Sequence, residues 1–310
     1  MVVSVVLGAL VIGGLAWVRL RIPSTPEPSV VAPAPAPVRI IPASNGVIAF
    51  ANGSSLFTVD PETGDARAVH GTPAGAWLPA WSPDGAHLAV AVFPPAGGQR
   101  QLWVMNADGS DPHLVASADN IGAPSWSPDG STIAYVAATA QGSAIHFVSP
   151  DGRADRIVGD VIPAGQHSYF TASFSPDGKQ LLFDKGTDSG FGIFVMSTDG
   201  SHVQQLSTGT SDYNPSWSPD GRSIAFTRQE GPMESDIFTM NTDGSDVTRL
   251  TDDGPGATNL NPVWSPDGRE IAYEAGKNGG PGGLVVVRAD GAAPRTLVHD
   301  GVLGISWQPI

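Results

Sequence analysis

Two stretches, Asn-Ala-Asp-Gly-Ser-Asp at residues 106–111 and Asn-Thr-Asp-Gly-Ser-Asp at 241–246, carry oxygen ligands at alternating positions. Calcium loops use that spacing, but the helix-loop-helix type runs longer and ends in a bidentate glutamate, which neither stretch has. Asp-Gly is also the tip of a tight turn, because Asp bonds to its own backbone and Gly accepts positive φ. Turn chemistry is the preferred reading. Histidines stand at 70, 87, 113, 146, 167, 202 and 299, with no paired spacing of the kind that marks a zinc or manganese site. Only the fold could converge them. Gly-x-Ser-x-Gly, the nucleophile turn of α/β hydrolases, does not occur. No cofactor is implied.

The elements that would hold any site come from a repeat. Trp-Ser-Pro-Asp-Gly occupies residues 81–85, 126–130, 217–221 and 264–268, and Phe-Ser-Pro-Asp-Gly occupies 174–178. A truncated echo, Ser-Trp-Gln-Pro, stands at 306–309. The six aromatic positions are 45, 48, 43, 47 and 43 residues apart. Self-similarity at that period marks a repeat architecture.

Residues 214–251 show what one repeat is. An apolar run ends in Ser-Pro-Asp-Gly, where Pro and Asp suit the two central positions of a type I turn and Gly the left-handed residue after it. Ser-Ile-Ala-Phe-Thr at 223–227 is a β-branched and aromatic run of strand type. A polar loop at 229–235, a run at 237–240, an Asp-Gly turn and a last run at 247–250 complete four short antiparallel strands. That is one propeller blade. A β-sandwich of equally short strands would explain neither the fixed period nor the repeated turn text. Runs at 47–50, 56–59 and 66–69 supply three strands with no motif strand before them, and 305–307 supplies the missing one. The expected fold is therefore all-β: a six-bladed β-propeller over residues 45–310, its last blade closed by N- and C-terminal strands.

The same residues carry a resemblance. Trp-Ser-Pro-Asp-Gly, then Ile-Ala-Phe/Tyr (133–135, 224–226, 271–273), Met-Asn-x-Asp-Gly-Ser (105–110, 240–245) and Arg-Leu-Thr (249–251) resemble the PD40, WD40-like repeat of TolB-like propellers. The resemblance implies six blades, a place outside the bacterial cytoplasm, and action through protein contacts.

Blade connectivity puts every Ser-Pro-Asp-Gly and Asp-Gly-Ser turn on one rim. The loops at 94–100, 138–143, 185–190, 229–235 and 275–283 lie on the other, and they differ in every repeat. Function collects on loops that a rigid frame holds in place. The candidate binding residues are those just before the inner strands, at the mouth of the channel: Trp77, His167, Tyr169, Asp212, Tyr213, Asn214, Asn259 and Asn261. The plainer reading of Asn214 and Asn261 is that they cap turns before Pro215 and Pro262.

Residues 2–18 carry no charge, and their length is near the lower limit for a transmembrane helix. Residues 1–22 are expected to be an uncleaved anchor, a cleaved signal segment being the alternative. Arg19 and Arg21 follow it, and taken alone they would place the head in the cytoplasm. Residues 23–44, with Ala-Pro repeats at 32–37, suit an extended polyproline spacer. From Asn45 onward there are 13 Lys and Arg against 29 Asp and Glu. That excess argues against nucleic acid and favours cationic or neutral partners. The expected function is a membrane-anchored propeller in the periplasm or at the cell surface, binding a protein, peptide or cell-envelope component without catalysis. Two alternatives stay open: the sensing head of a longer membrane signalling protein, and a metal-dependent propeller lyase or lactonase.

Overall fold

The structure, a computed structural model, describes residues 45–309 except 165–167, 189, 208–210, 279 and 281. The anchor and spacer segments lie outside the described residues. Among the described residues no helix is long and apolar enough to cross a membrane.

The chain first lays down β1 (Ile48–Ala51), β2 (Leu56–Val59) and β3 (Ala66–Ala68). Unit 1 follows, with β4 (Ala76–Trp81), β5 (His87–Val92), β6 (Arg100–Asn106) and β7 (His113–Ala118). Unit 2 has its inner strand in two pieces, β8 (Asn120–Ile121) and β9 (Ser125–Trp126), then β10 (Ile133–Thr139), β11 (Gly142–Val148) and β12 (Arg156–Pro163). Unit 3 is β13 (Tyr169–Phe174), β14 (Gln180–Thr187), β15 (Gly190–Ser197) and β16 (Gln204–Gln205). Unit 4 is β17 (Asp212–Trp217), β18 (Ser223–Gly231), β19 (Glu234–Asn241) and β20 (Thr248–Arg249). Unit 5 opens with β21 (Ala257–Trp264), β22 (Glu270–Lys277) and β23 (Gly282–Arg288). The last strand, β24 (Arg295–Trp307), serves twice: its first part pairs with β23 and its last residues pair with β1.

Within each unit the neighbouring strands are antiparallel. Ile48 lies opposite Trp307 and Phe50 opposite Ile305, so both ends of the described chain share one sheet, the terminal unit. The middle strands are apolar on both faces, residues 88–92 being at most 2% exposed. The reason is that each unit is covered on both sides. Six apolar clusters fill the seams. They join unit 1 to 2, 2 to 3, 3 to 4, 4 to 5, 5 to the terminal unit, and the terminal unit back to unit 1. In the last of these, Ala49, Ala51 and Leu56 meet Ala76, Trp81 and Leu88.

The motif turns of units 1 to 5 also touch from one unit to the next. A Cβ on Gly130, Gly178, Gly221 or Gly268 would lie 4.0, 3.5, 3.8 or 3.3 Å from the proline of the preceding unit's turn. The motif's proline and glycine therefore set the contact between units as well as the turn itself.

Candidate binding rim

On the turn rim the polar atoms are spent locally. Ser218 Oγ donates to Asp220 Oδ1 at 2.7 Å and accepts the N–H of Ser223 at 2.9 Å, while Asp220 accepts the N–H of Arg222 at 3.1 Å. Ser82, Ser127, Ser175 and Ser265 repeat the serine–aspartate bond. These bonds hold the aspartates low, Asp129 at about 2, the Ser127 hydroxyl being the largest cause. The calcium-like stretches behave alike. Asp243 Oδ1 accepts from both the N–H (2.9 Å) and the hydroxyl (2.6 Å) of Ser245, and Asn241 Nδ2 donates to Asp246 at 2.7 Å. Because these oxygens turn inward on their own loop, millimolar calcium should shift the melting temperature by no more than about 1 °C; a rise of several degrees would signal binding to the native state.

On the opposite rim the inner strands repeat one local geometry. Counting back from the motif aromatic, the fifth residue is buried in every unit: Ala76, Ile121, Tyr169, Asp212, Asn259 and Val302. The fourth is at least partly exposed. The third lies at an irregularity in the inner strand, with φ of 47° at Leu78, 51° at Asn214, 54° at Asn261 and 66° at Gly304. Asn and Gly tolerate this left-handed conformation.

The expected mouth residues divide accordingly. Tyr169, Asp212 and Asn259, expected at the channel mouth, are buried. The strand alternates its faces, and the fifth position falls on the buried one. Tyr169 meets Phe183 edge-on and donates to the carbonyl of Asp160 at 3.3 Å. Asp212, fully buried, accepts Arg228 Nε at 2.7 Å and Nη2 at 2.9 Å. Asn259 is 1% exposed and donates to Asp236, Thr251 and Asp253. Trp77 and Tyr213, at the fourth position, are partly exposed. Trp77 packs on Phe93, whose other contact is the Arg100 guanidinium 3.8 Å from the ring centroid. Tyr213 meets Phe191, which is itself edge-on to Phe170 at 4.9 Å, and burial pushes its hydroxyl up to about 12. Asn214 and Asn261 are the left-handed residues before proline, inside a strand rather than at a turn. His167 lies outside the described residues.

Two carboxylates escaped the sequence reading. Asp184 on β14 accepts the backbone N–H (2.7 Å) and hydroxyl (3.0 Å) of Thr171 on Oδ1, and the N–H of Asn214 in the next unit (2.8 Å) on Oδ2. Glu274 on β22 accepts Asn261 Nδ2 and the N–H of Gly304 in the terminal unit, each at 2.7 Å. Both clasp the left-handed residue of the following unit. Burial raises both, Glu274 to about 7. They sit ten residues after the motif aromatic, where units 1 and 2 have Ala91 and Val136. A charged residue at a buried position that is uncharged in the other units was the available signal.

A cavity of about 570 Å³ lies elsewhere, between unit 5 and the terminal unit, lined by Arg269, Arg288 and Arg295 with Asp267, Glu270 and Asp290. Arg295 donates to both oxygens of Glu270 and to the carbonyl of Pro61, and Arg288 donates to Asp290. These groups satisfy one another. Among the described residues no three His, Asp or Glu side chains are placed to hold a metal ion.

Successive four-stranded antiparallel units, joined seam to seam and each entered through the same inner strand and turn, define an all-β propeller. Residues 46–234 match the PD40 family, the TolB beta propeller domain, and the chain belongs to it. No curated protein matches the chain. Among solved structures it is similar to TolB from Acinetobacter baumannii (20% identity, TM-score 0.72, 85% of this chain and 66% of that one). It is also similar to a chain assigned as TolB from Agrobacterium tumefaciens (23%, TM-score 0.66, covering 85% and 98%). A chain of a nidogen/laminin complex is similar at 11% identity, TM-score 0.67, covering 84% and 98%. At these identities the likeness is one of fold.

Proposed function

We propose that residues 45–310 form a closed six-bladed propeller that binds a protein, peptide or cell-envelope component on its variable rim, with no chemistry of its own. Residues 1–22 would anchor it and residues 23–44 would hold the head off the membrane, in the periplasm or at the cell surface. The observation that carries the reading is the contrast between the two rims. One spends its polar groups on its own turns; the other presents different loops in each unit, with the aromatic row Phe170, Phe191 and Tyr213 beside half-buried polar groups.

The test uses the full chain, solubilised in mild detergent, as bait in cell-envelope extract. Partners captured by the native chain should be lost by at least about tenfold in the Tyr213→Ala/Asn261→Ala pair, as expected when central interface side chains are truncated. Capture unchanged by the pair would remove the rim from consideration.

A further inference from the structure

The variable rim is not uniform: on units 3 to 5 an aromatic row and a group of acidic side chains lie together. The contacts run continuously from Tyr213. On one side are Phe191 and then Phe170, which is 38% exposed. On the other, the Ser235 side chain lies beside the Tyr213 hydroxyl, and its Oγ donates to the carbonyl of Asn259 at 3.3 Å. Asn259 Nδ2 reaches Asp236 (3.1 Å) and Asp253 (2.9 Å). Arg249 Nη2 lies 3.1 Å from Glu230, 3.2 Å from Asp252 and 2.5 Å from Asp236. Three carboxylates thus gather around one guanidinium, with a fourth, Asp253, on the Asn259 amide. The neighbouring Arg228 is spent chiefly on Asp212, which accepts from its Nε and Nη2.

A cluster of acids alone would be an ordinary solvated face. Here its floor is also incomplete. Asn259 is 1% exposed, its NH₂ is fully engaged inside the cluster, and among the described residues its Oδ1 has no donor. A buried acceptor left without a partner is costly. What is missing is therefore both positive charge and an N–H donor. A bare metal cation would bring only the first. A lysine ammonium or arginine guanidinium brings both. The partly exposed aromatic row beside it offers ring faces and edges for the cation and its aliphatic stem, or for an apolar neighbour.

Resting on the rim assignment, we propose that this sector binds an extended segment of a partner protein in which a lysine or arginine stands beside an apolar residue, the cation entering the Glu230, Asp236, Asp252 and Asn259 cluster and the apolar residue lying on Phe170.

The probe is a labelled Arg-Phe-Arg-Phe-Arg peptide, with Glu-Phe-Glu-Phe-Glu as counterpart, measured by anisotropy against the full chain at about 0.15 M salt, where long-range attraction is screened. The arginine peptide should bind and the glutamate peptide should not. Glu230→Gln with Asp252→Asn should weaken binding about tenfold. Asp151→Asn with Asp199→Asn, which removes the same charge from exposed turns of the other rim, should weaken it less than about twofold. Equal loss in both pairs would mean bulk charge attraction and overturn the proposal, as would equal binding of the two peptides. Failure of the arginine peptide, while the envelope partner is still lost by Tyr213→Ala/Asn261→Ala, would reject this chemistry and leave the rim standing. If that pair also keeps its partner, the rim itself is wrong.

Discussion

Trp307→Ala is expected to lower the stability of the chain by about 3–5 kcal/mol, the usual cost of truncating a buried Trp. Trp307 is 7% exposed and lies in the seam with Ile48, Phe50, Ala272, Leu284 and Val286. Its Nε1 donates to the carbonyl of Asn45 at 2.7 Å. Its neighbours extend the join. Gln308 N–H donates to Val47 at 2.9 Å, Gln308 Nε2 to Gly85 in unit 1 at 3.0 Å, and Ser306 Oγ accepts the N–H of Trp81 at 3.2 Å. The final strand therefore ties unit 5, the terminal unit and unit 1 together. In a repeat protein stability is approximately the sum of unit and nearest-neighbour terms, so a loosened closure puts two seams at risk rather than one. Trp126→Ala is the control. It is equally buried, at 9%, and its Nε1 donates to Ala80 at 3.1 Å, but it sits in an internal seam. Urea unfolding should show the larger loss, with a shallower transition, for Trp307. A cost below about 1 kcal/mol would mean that the ends do not carry the ring.

Much of this frame is legible in the sequence because Ser-Pro-Asp-Gly is a statement about backbone geometry, and turns chosen for φ and ψ look alike wherever they recur. The pairing of residues 305–307 with 47–50 follows from the same counting: three strands lack a partner at one end of the array and one strand is spare at the other. The rim residues were harder to place. Tyr169, Asp212 and Asn259 stand one residue before the position that opens to the rim, and alternation in a strand sends adjacent side chains to opposite faces. The irregularity at Asn214 and Asn261 then offsets the phase again. A sequence reading that fixes the strand to within two residues cannot assign those faces. The clasping carboxylates are a different matter. Asp184 and Glu274 lie inside runs that read as ordinary strands, and only their alignment with Ala91 and Val136 sets them apart.

Those two carboxylates should answer opposite ways to the same substitution. Burial holds Glu274 at about 7 against an ordinary 4.5, with the bonds from Asn261 and Gly304 pulling it back only in part. Because the folded value lies above the unfolded one, its contribution is complete below about pH 4.5 and is lost as the pH rises through about 7. The gap corresponds to about 3 kcal/mol. Both hydrogen bonds fall on Oε1, so an amide with its oxygen in that place keeps them. Glu274→Gln is therefore expected to stabilise the chain by up to that amount at pH 8 and to make little difference near pH 4.5. Asp184 is also raised by burial, but its bonds are distributed differently: Oδ1 faces the N–H and hydroxyl of Thr171, and Oδ2 faces the N–H of Asn214. An amide must turn its NH₂ toward one of those donors. Asp184→Asn should accordingly destabilise at pH 8 by about 2 kcal/mol, the cost of a buried donor without an acceptor. Urea midpoints at pH 5 and pH 8 separate the cases. Stabilisation by both variants at pH 8 would mean that desolvation alone governs the two sites, and that the bonds to the left-handed residues do not hold one unit to the next.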